Sequence, residues 1–227
     1  VAAMILGATS LLMNLSKTLT GQEFSFVILP LLLAGMGIFA SIGGMLFMKI
    51  GIGSNPGAAL NRGTYITCIM FAVFAYVMVS QLGMNIGIFY ATLAGLIAGM
   101  VIGMTTDFFT SIDRTPVKKT AESAKTGAAI TILSGFSYGI ISIVPPIIGI
   151  CAATIAAWNL SSIGLATDTL SSIITQTQVY GVAISAVGML SIVGMIVSAD
   201  AYGPIVDNAK GIAEQAGIEK EFVDVAD

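Results

Sequence analysis

One stretch of this chain gathers groups able to hold a hard cation: Ser198-Ala-Asp200-Ala-Tyr202-Gly203-Pro204-Ile-Val-Asp207-Asn208-Ala-Lys210-Gly211. On a helix, seven residues are almost two turns. Asp200 and Asp207 therefore share a face, about 10 Å apart along the axis. Asn208 adds a carbonyl oxygen beside Asp207, and Mg²⁺ takes oxygen ligands of this kind. Pro204 has no backbone N–H to offer the carbonyl of residue 200, so the backbone near Asp200 must open or find another donor. The stretch closes a long helix, and the negative end of a helix dipole favours cations. The competing reading is two solvated carboxylates just beyond a membrane. Val179 to Ala199 is uncharged and long enough to cross unaided, so the sequence leaves the depth of Asp200 open.

The elements that position these groups are membrane helices. Apolar residues make up 56% of the 227 and charged residues only 9%, against about 25% in a soluble domain. Phe24 to Met48, Gly63 to Thr106, Thr126 to Thr167 and Thr169 to Ala199 carry no charge at all. A helix crosses hydrocarbon in about 20 residues, so these runs predict five to six crossings. The runs are continuous rather than alternating, which excludes a barrel. The fold class is all-α, a polytopic transmembrane bundle in a lipid bilayer, treated as one domain over 1–227. Helices are expected at about 1–15 (truncated), 24–48, 64–80, 86–106, 127–156 and 179–208, the fifth kinked at Pro145-Pro146. Thr115-Pro116 predicts a further helix start, with Thr as cap and Pro first in the helix. The first short apolar segment and the non-Met start read as an internal fragment.

Cation placement predicts sidedness. Lys49, Arg62, Arg114, Lys118, Lys119, Lys125, Lys210 and Lys220 fall on one side and only Lys17 on the other. The positive-inside bias puts loops 49–63 and 107–126 and tail 201–227 in the cytoplasm, and 158–178 outside. The nine cations are spread along the chain, so nucleic acid is not a partner. Without histidine, the commonest zinc ligand is missing. Cys68 and Cys151 lie in apolar runs and read as free thiols. Gly95, Gly99 and Gly103 recur every four residues, which predicts close helix contact along one face. Gly127, Gly135 and Gly139 suggest the same for the fifth helix, as do Ala186 and Gly194, less regularly, for the sixth. The charged loop with Asp107, Asp113 and Glu122 reads as a wet connector.

The block Asp200-Ala-Tyr-Gly-Pro-Ile-Val-Asp207-Asn208-Ala-Lys210-Gly-Ile-Ala-Glu214, preceded by Gly188-Met-Leu-Ser191, resembles the signature of membrane-bound, ion-pumping pyrophosphatases. Gly103-Met-Thr-Thr-Asp107-Phe-Phe-Thr110-Ser111, Pro116-Val117 and Thr126-Gly-Ala-Ala129 resemble the family's preceding blocks, in order. The resemblance covers essentially the whole chain, from the end of the family's sixth helix to the end of its eleventh. It implies a homodimeric pump that couples hydrolysis of Mg-pyrophosphate in the cytoplasm to outward transport of H⁺ or Na⁺. Mg²⁺ is the implied cofactor, with K⁺ as a second candidate cation. It implies a catalytic and Mg²⁺-pyrophosphate-binding role for Asp207, a metal role for Asp200, and substrate contacts from Asn208 and Lys210. Asp227 resembles the first aspartate of the next block.

Lys210 stands where the family usually has glycine, Asp107-Phe-Phe where it has Glu-Tyr-Tyr, and Ala129-Ile130-Thr131 where it has Ala-Thr-Asn. The carboxylate-rich fifth and sixth helices and the twelfth, fifteenth and sixteenth carry the family's remaining ligands, so the resemblance implies no activity from this chain alone. Two other readings compete: a non-catalytic truncated relic or scaffold, and an unrelated secondary transporter. The transporter would show an internal repeat, and none stands out.

Overall fold

Each apolar run closes its backbone hydrogen bonds within itself, as hydrocarbon demands. A computed structural model describes residues 23–48, 56–166, 169 and 171–217. Over these it contains seven helices and no strand: α1 Glu23–Met48, α2 Pro56–Gln81, α3 Ile86–Thr110, α4 Thr115–Ser123, α5 Ala128–Leu160, α6 Ser171–Leu190 and α7 Val193–Gln215. Among the described residues, five helical segments are long and apolar enough to cross a membrane, the last running from Ser171 to Gln215. The chain is an all-α, multi-pass membrane protein. The expected segment 1–15 lies outside the described residues.

The expected boundaries shift in several places. α2 begins at Pro56, so residues 56–63 of the expected loop are its first turns. Residues 107–110 close α3, and 115–123 form α4. α4 begins at Thr115 itself, so Arg114 takes the cap position, with no side-chain cap bond, and Pro116 sits in the first turn. α5 extends to Leu160 and runs unbroken through Pro145-Pro146. The expected final helix divides at Ser191-Ile192, and its first part starts at Ser171, inside the segment 158–178 expected between helices.

Two compact units divide the chain. The first holds residues up to 36 and 72–191. Its centre is α3 packed against α5 and α6. A Cβ on Gly95 would strike the backbone of Ser185, one on Gly188 would strike the carbonyl of Thr92, and one on Gly99 would lie 2.9 Å from the carbonyl of Met189. Small residues thus let two helix backbones touch. Asn85 caps α3, its side chain accepting from Gly87 N at 3.1 Å and donating to the Ser161 carbonyl at 2.7 Å. Tyr180 Oη donates to the Phe26 carbonyl at 2.8 Å, and the two rings meet edge-on at 5.0 Å. Gly103 and Gly139 meet nothing within 4 Å among the described residues, and Ala186 is exposed, which corrects the expected contact faces. Gly135 makes only an ordinary contact with Thr120, and Gly127 sits at φ +134° at the start of α5.

The second unit holds residues 37–71 and those from 192 onward. Ala40, Thr67, Cys68, Phe71, Ile192 and Met195 fill its core. A Cβ on Gly194 would lie 2.8 Å from Ser41 Oγ, and one on Gly63 would lie 2.7 Å from Met195 Cε. The first turn of α7 is therefore clamped on α1 and α2.

Hydroxyls inside the bundle bond back along their own helices. Ser41 donates to the Gly37 carbonyl at 2.8 Å, Thr67 to Gly63 at 2.9 Å and Thr92 to Ile88 at 2.8 Å. Among the described residues no buried side-chain polar atom lacks a partner. The outside is equally apolar: Ile132, Phe136, Ile148 and Ile155 on α5 are all more than half exposed. Such a surface suits lipid or further helices rather than water.

Candidate functional site on α7

The site is built on one helix. Ile192 and Met195 bury the start of α7, and its remainder, from Val197 on, carries the polar groups outward. Asp200, Asp207 and Asn208 are exposed, and Lys210 is half-buried. The helix is continuous from Val193 to Gln215, so the predicted spacing is realised. Asp200 and Asp207 lie within about 20° of one another around the axis and about 10 Å apart along it. Asn208 and Lys210 flank this stripe on opposite sides. Glu214 continues it, seven residues beyond Asp207, and is also exposed. Sequence reading assigned Glu214 no role, although the same seven-residue step marks it.

Pro204 lies inside the helix between the two aspartates. α7 tolerates it without breaking, but the carbonyl of Asp200 loses its normal donor four residues on. A Cβ at Gly203 or Gly211 would meet nothing within 4 Å. The backbone beside the carboxylates is consequently open to close approach by a ligand.

The donor set matches a hard divalent cation in kind: carboxylates and an amide oxygen. It matches one in number only if other oxygens join. Among the described residues no three His, Cys, Asp or Glu side chains converge. Mg²⁺ is ordinarily held by one or two carboxylates together with substrate phosphates and water, and a single exposed aspartate meets that pattern.

The upstream acids lie on other elements. Asp107 ends α3, its carbonyl accepting from Ser111 N at 2.8 Å; Asp113 lies in the linker and Glu122 on α4, and all three are exposed. They belong to the first compact unit, and Asp200 and Asp207 to the second. Asp227 lies outside the described residues.

The family model described as inorganic H⁺ pyrophosphatase matches residues 1–227. A protein of Clostridium tetani named "Putative K(+)-stimulated pyrophosphate-energized sodium pump" is 38% identical over 201 residues, covering 88% of this chain and 29% of its own length. The K(+)-insensitive pyrophosphate-energized proton pump 2 of Moorella thermoacetica is 36% identical, over 86% of this chain and 28% of its own. A K(+)-insensitive pyrophosphate-energized proton pump of Methanosarcina mazei is 35% identical, over 95% of this chain and 31% of its own. The chain thus spans about three tenths of the length of these relatives. With the family model matched from end to end, and the Asp200–Asp207 block carried on a membrane helix, the chain belongs to the inorganic H⁺ pyrophosphatase family.

Proposed function

We propose that this chain is part of an ion pump that couples hydrolysis of Mg-pyrophosphate on the cytoplasmic side to H⁺ or Na⁺ transport. The observation that carries this reading is the carboxylate face of α7, with Asp207 and Asp200 on one line and Asn208 beside it, in a chain whose relatives are named as pyrophosphate-energized pumps. Pyrophosphate carries several negative charges, and bound Mg²⁺ would neutralise them and polarise the leaving phosphate.

Asp207 is the ligand best suited to hold such an ion, because Asn208 adds an amide oxygen and the glycines leave room for phosphate. Asp200, two turns earlier, is too far along the axis to share one ion with Asp207. Its exposed carboxylate instead suits a second cation, with Mg²⁺ and K⁺ as the candidates. Lys210, one turn beyond Asp207, can extend toward a phosphate oxygen. One helix supplies only part of the coordination sphere, so the remainder comes from other segments of a complete, homodimeric pump.

The test is Asp207→Asn in a complete pump bearing this segment. The change keeps shape and removes charge. The Mg²⁺ concentration needed for half-maximal hydrolysis should rise and turnover should collapse, with folding intact. Unchanged hydrolysis and Mg²⁺ dependence would remove α7 from the substrate site.

A further inference from the structure

The short helix α4 (Thr115–Ser123) joins two membrane spans and separates its chemistry by face. Its inner side places Pro116, Val117 and Thr120 over Phe109 of α3 and Thr131 and Tyr138 of α5, around a groove of about 430 Å³. Its outer side presents Lys118 and Lys119, and Arg114 and Lys125 flank it; all four are exposed. Among the described residues, none of the four is held in an ion pair. Two carboxylates are close in sequence, Asp113 and Glu122, and only Glu122 shares the outer face of α4. Just before α4, Ile112 is 78% exposed and Phe108 is 43% exposed.

Unpaired cations beside protruding apolar side chains, at the junction of two spans, are the pattern of an interfacial segment. We infer that the outer face of α4, through Lys118 and Lys119 with Arg114 and Lys125, binds the phosphate headgroups of anionic phospholipids. The shape selects lipid over a free phosphate. The cations stand on a convex helix surface and do not converge on one point, so a single small anion meets one or two of them weakly. A leaflet presents many phosphates in a plane and engages all four together. Each Lys or Arg at such a surface is worth about fivefold in affinity. This inference does not depend on which side of the membrane α4 faces, nor on the role of α7.

The test uses the chain in neutral detergent, titrated with phosphatidylglycerol or phosphatidylcholine of identical acyl chains, with bound lipid counted by native mass spectrometry. Phosphatidylglycerol should bind at a concentration more than about 20-fold lower, since four cations act together, and the preference should shrink as salt rises. Lys118→Gln with Lys119→Gln should raise its half-saturation about 20-fold while leaving phosphatidylcholine adducts unchanged, which also reports intact folding. Glu122→Gln should move it the other way. Equal binding of the two lipids, or an undiminished preference in the double variant, would overturn the proposal. So would displacement of phosphatidylglycerol by millimolar inorganic phosphate at constant ionic strength, which would mark a free-phosphate site.

Discussion

Asn85 Nδ2 donates to the carbonyl oxygen of Ser161 at 2.7 Å, across 76 residues of sequence, while its Oδ1 caps Gly87 N at 3.1 Å. One side chain thereby ends the turn before α3 and ties it to the end of α5. Gly164 completes the corner at φ +89°, where an added Cβ would lie 2.7 Å from Asn85 Oδ1. Asn85→Ala removes a helix cap and strands a carbonyl, a loss of about 1–3 kcal/mol. Asn85→Asp keeps the cap acceptor but not the donor, so it should lose less. Thermal unfolding of the chain in detergent, followed through Trp158, checks the order wild type, Asp, Ala.

The glycines of α3 should differ sharply from one another. Gly95→Ala forces the α3 and α6 backbones apart and should cost about 1–3 kcal/mol. Gly103→Ala adds a methyl to open space and should be neutral, or stabilising by up to about 1 kcal/mol. Equal effects at the two positions, in the same unfolding assay, would contradict the α3–α6 contact.

In a complete pump, Lys210 separates two roles. Lys210→Gly should preserve or raise turnover if the lysine partly obstructs the phosphate path. It should raise KM for Mg-pyrophosphate if the ammonium contacts substrate. Asp200→Asn should shift the cation dependence of turnover without abolishing it, in contrast to Asp207→Asn. Steady-state hydrolysis over a matrix of Mg²⁺ and K⁺ concentrations distinguishes these outcomes.

Sidedness can be read by chemistry. In a background with Cys68 and Cys151 replaced by Ala, cysteines at positions 125 and 220 should react with an impermeant maleimide added from the cytoplasmic side. A cysteine at 168 should react only from the other side. The reverse pattern would invert the orientation drawn from the cations and take the proposed site to the wrong face.

The purified 227-residue chain should release no phosphate from pyrophosphate in the presence of Mg²⁺. Its reason is geometric: the carboxylates of α7 stand one per two turns, and no third acid converges on them among the described residues. Substantial turnover by this chain alone would mean that the catalytic groups have been assigned wrongly.

The membrane helices and the shared face of Asp200 and Asp207 were legible in the residues themselves. An apolar run of about 20 residues must close its own backbone bonds, and seven residues return almost to the same face whatever surrounds the helix. Polar residues misled where they hid inside a helix. Thr175 and Thr177 looked like a connector, yet each donates to the carbonyl four residues back, Ser171 at 3.0 Å and Ile173 at 2.9 Å, and so costs the helix no unsatisfied group. Pro56 lies in the expected loop 49–63 yet opens α2, because a proline in the first turn gives up a donor that has no partner there. Tertiary structure alone decided which small residues meet a neighbour. Gly95 and Gly103 belong to one four-residue repeat and are about 80° apart around the axis, but only Gly95 faces the backbone of α6. It also set the division at Ser191-Ile192, in a run with no proline or charge to announce it. Packing on either side, Gly188 against Thr92 in one unit and Gly194 against Ser41 in the other, fixes where α6 stops and α7 begins. Such contacts join residues far apart in sequence, and local propensity carries no record of them.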